Sequence, residues 1–420
     1  MTSTTAIADT PYKPGAHVPV LDGLRGLAIL LVLFRHTVRY MGPDNLVDQA
    51  VSSLMNIGWA GVDLFFVLSG FLITGILYDS KGGQHYFRNF YIRRALRIFP
   101  LYYGFLALLF LVLPQFYEYH GGRFGTLLEN QHWYWTYMVN VLASVASTSS
   151  TPLNTTHLWS LAVEEQFYIV WPAVVLLCTR RVLVAVCAWM VVASLAVRMA
   201  LIYADGGGND AAYMLMPARM DTLALGALLA LLARDSGGLP RLMRWARWGA
   251  VLSGGIIALL IGANLGLKQY DVTTQTVGYT GIAVLATCVL ALVLDARPGS
   301  RTYRAFDQGW LRALGKYSYA IYLFHYPLLN YFRYVYRMRE VPELLGSAIP
   351  AQFALTLTVS VASFVLAWLS WHLYEKHFLK LKRFFPNATG SAGNSGSTGG
   401  TGVPAPSWPA GSPERALRVR

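Results

Sequence analysis

Charge is scarce in this sequence. Asp, Glu, Lys and Arg make up 13% of its 420 residues, about half the share of an ordinary soluble domain. That shortage argues against the two or three soluble domains that the length alone permits. Cysteine is rarer still. Cys178, Cys187 and Cys288 each lie in an apolar run and show neither metal-ligand spacing nor a disulfide framework, so they read as packing residues. The sequence also lacks a Walker loop, a dinucleotide fingerprint and a zinc-hydrolase motif, which leaves those chemistries unsupported. His325 and His372 alone do not make a metal site. The first 17 residues are polar and precede the first apolar stretch without a small-residue cleavage site, so they do not read as a cleavable signal peptide.

What is abundant is apolar. Hydrophobic residues are 55% of the chain. They come in blocks of about 20 residues, the length of a bilayer-crossing helix. Candidate spans fall at about 20–40, 59–78, 98–116, 157–179, 182–203, 213–233, 248–266, 276–294, 317–335 and 351–373. The expectation is an all-α polytopic membrane protein, a bundle of about ten transmembrane helices. Residues 131–145 (QHWYWTYMVNVLASV) fit an interfacial helix, a re-entrant piece or an eleventh span.

The net charge of +13, from 34 basic and 21 acidic residues, is a topology signal before it is a sign of a nucleic-acid partner. Lys81, Arg88, Arg93, Arg94, Arg97, Arg180 and Arg181 fall on one side of a ten-span layout. So do the basic linkers at 234–247 and 296–316 and the cluster Lys376, Lys380, Lys382 and Arg383. The opposite segment 117–156 has only Arg123, against Glu118 and Glu129. Arg337 and Arg339 are exceptions, partly balanced by Glu340 and Glu343. Both termini therefore read as cytoplasmic, in a multi-pass plasma-membrane protein. A polar segment (1–17) precedes a membrane domain (18–380). Residues 386–420, rich in Gly, Ser and Pro, read as a disordered tail.

Ionisable groups inside apolar spans are costly and point to function. Arg25 and His36, eleven residues apart, lie about three turns and about 16 Å apart along one helix face. Both are expected to face one interior cavity. Histidine suits proton exchange near neutrality, so His36 fits a general base for acyl transfer to a hydroxyl; the competing reading is a packing imidazole. The adjacent Arg35 points elsewhere and reads as snorkelling toward headgroups. Asp22 fits a cap for the first helix. Asp63, Ser69 and Gly70 interrupt the second span; Asp63 fits either a partner for a base or a helix cap. HLWSLAVEEQFYIVWP (157–172) is the densest polar cluster. Ser160 and Glu164 share a face, while Glu164 and Glu165 point about 100° apart and need not serve one partner. A carboxylate there fits orienting His36, holding a sugar hydroxyl or structural salt bridging. Arg219 and Asp221 stand at the outer mouth of the sixth span. On the basic side, Arg88, Arg93, Arg94 and Arg97 neighbour Phe87, Phe90 and Tyr91. Arginine forks match phosphates, although the charge bias of the topology also explains them.

Five segments in order, LDGLRGLAILLVLFRH, GWAGVDLFFVLSGFLITGIL, FYIRRALRIFPLYY, HLWSLAVEEQFYIVWP and KYSYAIYLFHYPLL, resemble the membrane acyltransferase 3 family. That family includes polysaccharide O-acetyltransferases and enzymes that acylate macrolide sugars. The resemblance covers about residues 18–380. It implies acyl transfer from acyl-CoA, usually acetyl-CoA, to a hydroxyl of a carbohydrate or glycosylated acceptor, without a metal. It places the base at His36, a binding or organising group at Arg25, the CoA-phosphate motif at Arg93 and Arg94, the glutamate motif at Glu164 and Glu165, and a later arginine region at Arg219 and Asp221. Glu375-Lys376-His377-Phe378 departs from the family's Glu-Lys-Pro-Phe-like ending, which weakens only the helix stop. Together these readings make His36, Arg25 and Glu164 the catalytic candidates. Arg93, Arg94 and Arg97 are the donor-binding candidates, and Asp63, Ser69, Glu165, Arg219 and Asp221 the acceptor-binding ones. The partners expected are the acceptor and membrane lipids, with no nucleic acid; oligomeric state is unassigned. A polytopic transporter or flippase for a glycan or lipid-linked sugar is the alternative, since buried His, Arg and Glu also fit coupled transport.

Overall fold

The computed structural model describes residues 18–38, 45–115, 123–145, 155–235, 237–264, 267–335, 343–344 and 346–386. The polar segment 1–17, residues 387–420 of the tail, and Glu118, Arg337, Arg339 and Glu340 of the loop-charge balance lie outside the described residues.

The described residues form helices and, apart from one isolated bridge between Leu344 and Ser347, no sheet. In chain order they are α1 (Pro19–Thr37), α2 (Leu46–Asn56), α3 (Ala60–Asp79), α4 (Tyr86–Ala107), α5 (Arg123–Glu129), α6 (Gln131–Trp135), α7 (Val139–Val145), α8 (Trp159–Leu177) and α9 (Arg180–Asp205). They continue with α10 (Asp210–Met214), α11 (Met216–Leu232), α12 (Gly238–Asn264), α13 (Tyr279–Leu294), α14 (Arg301–Phe306), α15 (Gly309–Val335), α16 (Ile349–Ser370) and α17 (Lys376–Lys380).

Among the described residues, eight helical stretches are long and apolar enough to cross a membrane, two fewer than the ten spans expected. The two that fall short are the first and ninth. α1 carries Asp22, Arg25 and Arg35, and α15 carries several tyrosines with His325, Asn330 and Arg333. These two helices pack on each other more extensively than any other pair. Their polar side chains are offered to the protein interior, the arrangement that lets a membrane protein keep ionisable groups.

Glycine sets how closely the central helices approach. A methyl group at Gly315 of α15 would meet the Asp22 carbonyl oxygen at 1.7 Å, and one at Gly26 of α1 would meet the Leu311 carbonyl oxygen at 2.0 Å. Gly70 and Gly226 do the same for α3 and α11, each against a carbonyl of the other helix. Such close backbone approach is the main way to gain packing energy where lipid tails remove the hydrophobic drive. Large apolar side chains of α9, α12 and α16 are left outward, among them Val192, Leu259 and Phe353, as a lipid-facing wall requires.

Residues 131–145 do not make an eleventh span. They form α6 and α7, broken at Tyr137, whose φ is +54°. The Tyr137 ring stacks on Tyr102 at 4.2 Å, and Gln166 Nε2 donates to its carbonyl at 3.0 Å. Asp22 does not cap α1. The helix starts three residues earlier, with Pro19 at its first position, and Asp22 pairs with Arg25 at 3.2 Å.

The basic linkers meet at one end of the bundle. Arg234 grips Asp79 through Nε and Nη2, both at 2.7 Å. Arg180 pairs with Asp235 at 2.8 Å. Lys81 Nζ closes the C-terminal end of α8 by donating to the carbonyls of Val175 and Cys178 at 3.0 and 2.6 Å. His36 stands toward the opposite end, where Arg333 Nη2 donates to its carbonyl at 3.3 Å.

Candidate active site

His36 lies in the last turn of α1, and His325 lies two residues before Pro327 in α15. Their rings meet with His36 Nδ1 2.9 Å from His325 Nε2. His325 Nδ1 is 2.6 Å from the Tyr322 carbonyl oxygen and 3.2 Å from that of Ile321. A carbonyl oxygen only accepts, so His325 Nδ1 carries the hydrogen, and neutral His325 presents Nε2 as an acceptor. The His36 Nδ1–H then donates to it, which puts the His36 lone pair on Nε2. One imidazole thereby sets the tautomer of the other. Tyr326 packs edge-on against His36 at 4.7 Å and stacks on His157 at 5.3 Å, closing the cluster.

His36 lines an outer cavity of about 160 Å³, with His157, Tyr322 and Tyr326 among its walls. A second, inner cavity of about 130 Å³ lies toward the arginine-rich end. Val62 and Tyr322 line both, so one wall separates them. At that wall Tyr322 donates to the His157 carbonyl at 2.6 Å and its hydroxyl meets that of Ser160.

The inner cavity collects Arg25, Arg94, Arg97, Ser69, Glu164 and Glu165. Three expectations change here. Arg25 and His36 share a helix but not a cavity, because the Val62–Tyr322 wall falls between them. Glu164 and Glu165 line one cavity despite pointing apart. Glu164 lies in the inner cavity with Ser69, Tyr168 and Arg94, whereas His36 is oriented from His325. Arg94 also sits over the Tyr168 ring at 5.5 Å, and the Ser69 hydroxyl meets the Tyr168 hydroxyl.

Arg93, Arg94 and Arg97 do not act as one cluster. Arg93 turns away and donates to the carbonyls of Lys382 and Phe385 at 3.1 and 2.9 Å. Arg97 lines both the inner cavity and a vestibule of about 700 Å³ at the basic end, with Arg312, Lys316, Trp371 and Lys382. A π-helical turn at Trp371–Glu375 brings Trp371 and Glu375 into that vestibule together. The vestibule cations other than Arg25 and Arg97 come from α15 and the turn after α17, where the sequence shows only the charge bias of the topology.

Asp63, Arg219 and Asp221 lie outside these cavities, in a closed ion-pair network. Arg219 Nη2 is 2.6 Å from Asp63 Oδ1, with both side chains 0% exposed. Arg198 Nη1 is 2.8 Å from Asp221 Oδ2 and also donates to the Ala218 carbonyl at 2.6 Å, while its Nη2 reaches Thr280. The Arg219 guanidinium lies over Tyr279 at 4.5 Å. This network ties α3, α9, α11 and α13 together. Removing one partner of a buried pair leaves an uncompensated charge, a loss of about 3–5 kcal/mol. Arg219→Leu is therefore expected to lower the thermal midpoint in detergent markedly. Adding Asp63→Leu is expected to recover part of that loss; a neutral Arg219→Leu would contradict the network's role.

Two residues were undervalued in the sequence. Arg35 lines the outer cavity and an adjoining mouth of about 440 Å³, rather than facing headgroups. His325, weighed above only as a metal ligand, meets His36 instead; a histidine inside an apolar helix is the available signal. Among the described residues, no three His, Cys, Asp or Glu side chains are set to hold a metal ion.

Comparison with known proteins follows the same outline. Residues 18–372 match the family described as "Acyltransferase domain". The chain is 31% identical over 383 residues to YrhL of Bacillus subtilis, provisionally named a peptidoglycan O-acetyltransferase, covering 86% of this chain and 54% of that protein. It is 30% identical over 333 residues to the peptidoglycan O-acetyltransferase OatA of Listeria monocytogenes, covering 75% of this chain and 50% of that protein. The chain thus spans about half the length of the curated relatives it matches. No solved structure matches it significantly. Because the match runs through every residue that lines the inner and outer cavities, the chain belongs to the membrane acyltransferase family.

Proposed function

We propose that this protein is an O-acyltransferase that moves an acyl group, acetyl first among them, from acyl-CoA to a hydroxyl of a carbohydrate acceptor. The observation that carries this reading is the His36–His325 pair. It puts the His36 lone pair on Nε2, and His36 lines a cavity separated by one wall from an arginine-lined cavity. Acyl transfer from a CoA thioester, as proposed, calls for a general base near neutrality and a route for a phosphate-bearing donor. Family membership gives the transport alternative no support.

In this reading the donor enters from the basic end, which lies in the cytoplasm of a plasma-membrane protein by the positive-inside rule. Its phosphates meet Arg97, Arg312, Lys316 and Lys382, and its acyl-bearing arm passes Arg25 and Glu164 toward Tyr322. The acceptor occupies the outer cavity. His36 Nε2 takes the proton of the acceptor hydroxyl as its oxygen bonds to the acyl carbon. A buried arginine of the inner cavity stabilises the developing oxyanion. Collapse breaks the carbon–sulfur bond, and His36 returns the proton to the departing sulfur. Ser69 pairs with Tyr168 and Ser160 with Tyr322, so each serine hydroxyl is engaged by a tyrosine, and direct transfer needs only the one base. Arg93, on this geometry, positions the turn after α17, and Asp63, Arg219 and Asp221 hold the helices around the site.

The test is purified protein in nanodiscs with acetyl-labelled acetyl-CoA and a glycan. The relatives' names make peptidoglycan fragments the first acceptor to try. Thiol release that depends on the acceptor, together with a labelled ester, supports the reading. Glycan movement without CoA consumption sinks it. Arg97→Gln is expected to raise the KM for acetyl-CoA about tenfold with kcat nearly unchanged, because a charge-assisted phosphate contact is lost before the chemical step. An unchanged KM would remove Arg97 from the donor site.

A further inference from the structure

The outer mouth carries positive charge that the acyl-transfer chemistry does not use. Arg35 lines both the His36 cavity and the mouth, as do Trp59, Gln269 and Tyr270. Arg35 Nη2 donates to Gln269 Oε1 at 3.2 Å. Its Nε is buried and has no hydrogen-bond partner among the described residues. Lys268 adds a second cation to the mouth. The carboxylate there, Asp271, accepts the Thr274 backbone N–H at 3.2 Å and so is engaged by the start of the next helix. Burial, with Asp210 alongside, pushes the Tyr270 phenol well above its ordinary range. It therefore remains a neutral donor and adds no negative charge to the mouth.

Arg35 has no ion-pair partner among the described residues, so its charge at the mouth is uncompensated. A neutral sugar hydroxyl satisfies it weakly, whereas a carboxylate or phosphate forms a charge-assisted bond about twice as strong. Arg35 also precedes His36 directly in the sequence, and both line the outer cavity. An acidic group held by Arg35 would place a neighbouring hydroxyl of the same molecule within reach of the base. We propose that the acceptor is an acidic carbohydrate whose anionic group is held by Arg35 with Lys268. The inference rests on the acceptor entering by this mouth, as the acyl-transfer reading has it.

The experiment compares methyl glucuronide with methyl glucoside, which differ only at C6, a carboxylate in the first and a hydroxymethyl group in the second. Binding is followed by calorimetry and by tryptophan fluorescence, since Trp59 lines the site, with the protein in nanodiscs of phosphatidylcholine. The glucuronide is expected to bind at least about tenfold more tightly. Arg35→Gln is expected to bring the two sugars within about twofold, and Arg35→Lys to restore part of the preference. Equal affinity, no measurable binding of either sugar, or a preference that survives Arg35→Gln overturns the proposal. So does displacement of the glucuronide by phosphatidylglycerol added to the nanodisc, which would assign the site to a lipid headgroup. Acetyl transfer is measured separately on the same samples. Arg35-dependent binding without ester formation would leave the anion site standing and remove the acyl-transfer reading instead.

Discussion

Alanine in place of His36 is expected to lower kcat for acetyl transfer by about three orders of magnitude, with the KM for acetyl-CoA little changed. A positioned general base contributes about 10²–10⁴-fold, and His36 is the imidazole that lines the outer cavity with its tautomer set by His325. The donor's phosphates, on the proposed path, bind at the far end of the bundle, beyond the Val62–Tyr322 wall. The substitution therefore removes an interaction made at the transition state and spares ground-state donor binding. His36 is part-buried in a polar cluster rather than packed in the apolar core, so the variant is expected to fold. The measurement is single-turnover formation of labelled ester at matched protein concentration. An H36A protein that keeps a tenth or more of the wild-type rate would dismiss His36 as the base.

His325→Leu is expected to cost about a hundredfold in kcat, again with the donor KM preserved. His325 touches neither donor nor acceptor in the proposed mechanism; it acts through His36. Its Nε2 is the acceptor 2.9 Å from His36 Nδ1 that keeps the His36 lone pair on Nε2. Loss of an orienting partner leaves a catalytic imidazole free to adopt the wrong tautomer or to swing away. Leucine supplies a similar apolar volume but no acceptor. Glutamine supplies a carbonyl oxygen and is expected to recover about tenfold of the loss. A merely structural role predicts a different pattern: leucine and glutamine equally poor, with losses that follow the thermal midpoint. That pattern, or a His325→Leu enzyme of full activity, would break the proposed relay.

Much of the molecule was legible from composition and spacing. Apolar blocks announced membrane helices, and the ionisable residues within them marked where chemistry was to be sought. The reason is energetic: a bilayer tolerates Arg25, His36 or Glu164 only where protein or water surrounds them. The count of spans erred for the same reason read backwards. α1 carries Asp22, Arg25 and Arg35, and α15 carries several tyrosines with His325, Asn330 and Arg333; these polar groups line the interior, and they are what makes the two helices less apolar than a lipid-facing span. The short α2 before the second span went unnoticed.

What the helical period could not supply was the neighbour across the gap. It placed Arg25 and His36 on one face, correctly as geometry, but the opposing helices divide that face between two cavities. His36 and His325 are 289 residues apart in the chain, and Asp63 and Arg219 are 156 apart, so no local spacing links either pair. Arg35 and Arg93 show the same limit. Each stood in a run whose bulk charge had an easy explanation, yet one turns into the outer cavity and the other toward the turn after α17. The chain's own residues therefore determined which side chains had to find partners in a medium of low polarity. Only the packing of α1, α3, α8, α11 and α15 decided which partners they found, because a buried polar group takes whatever complementary group tertiary contact brings within about 3 Å.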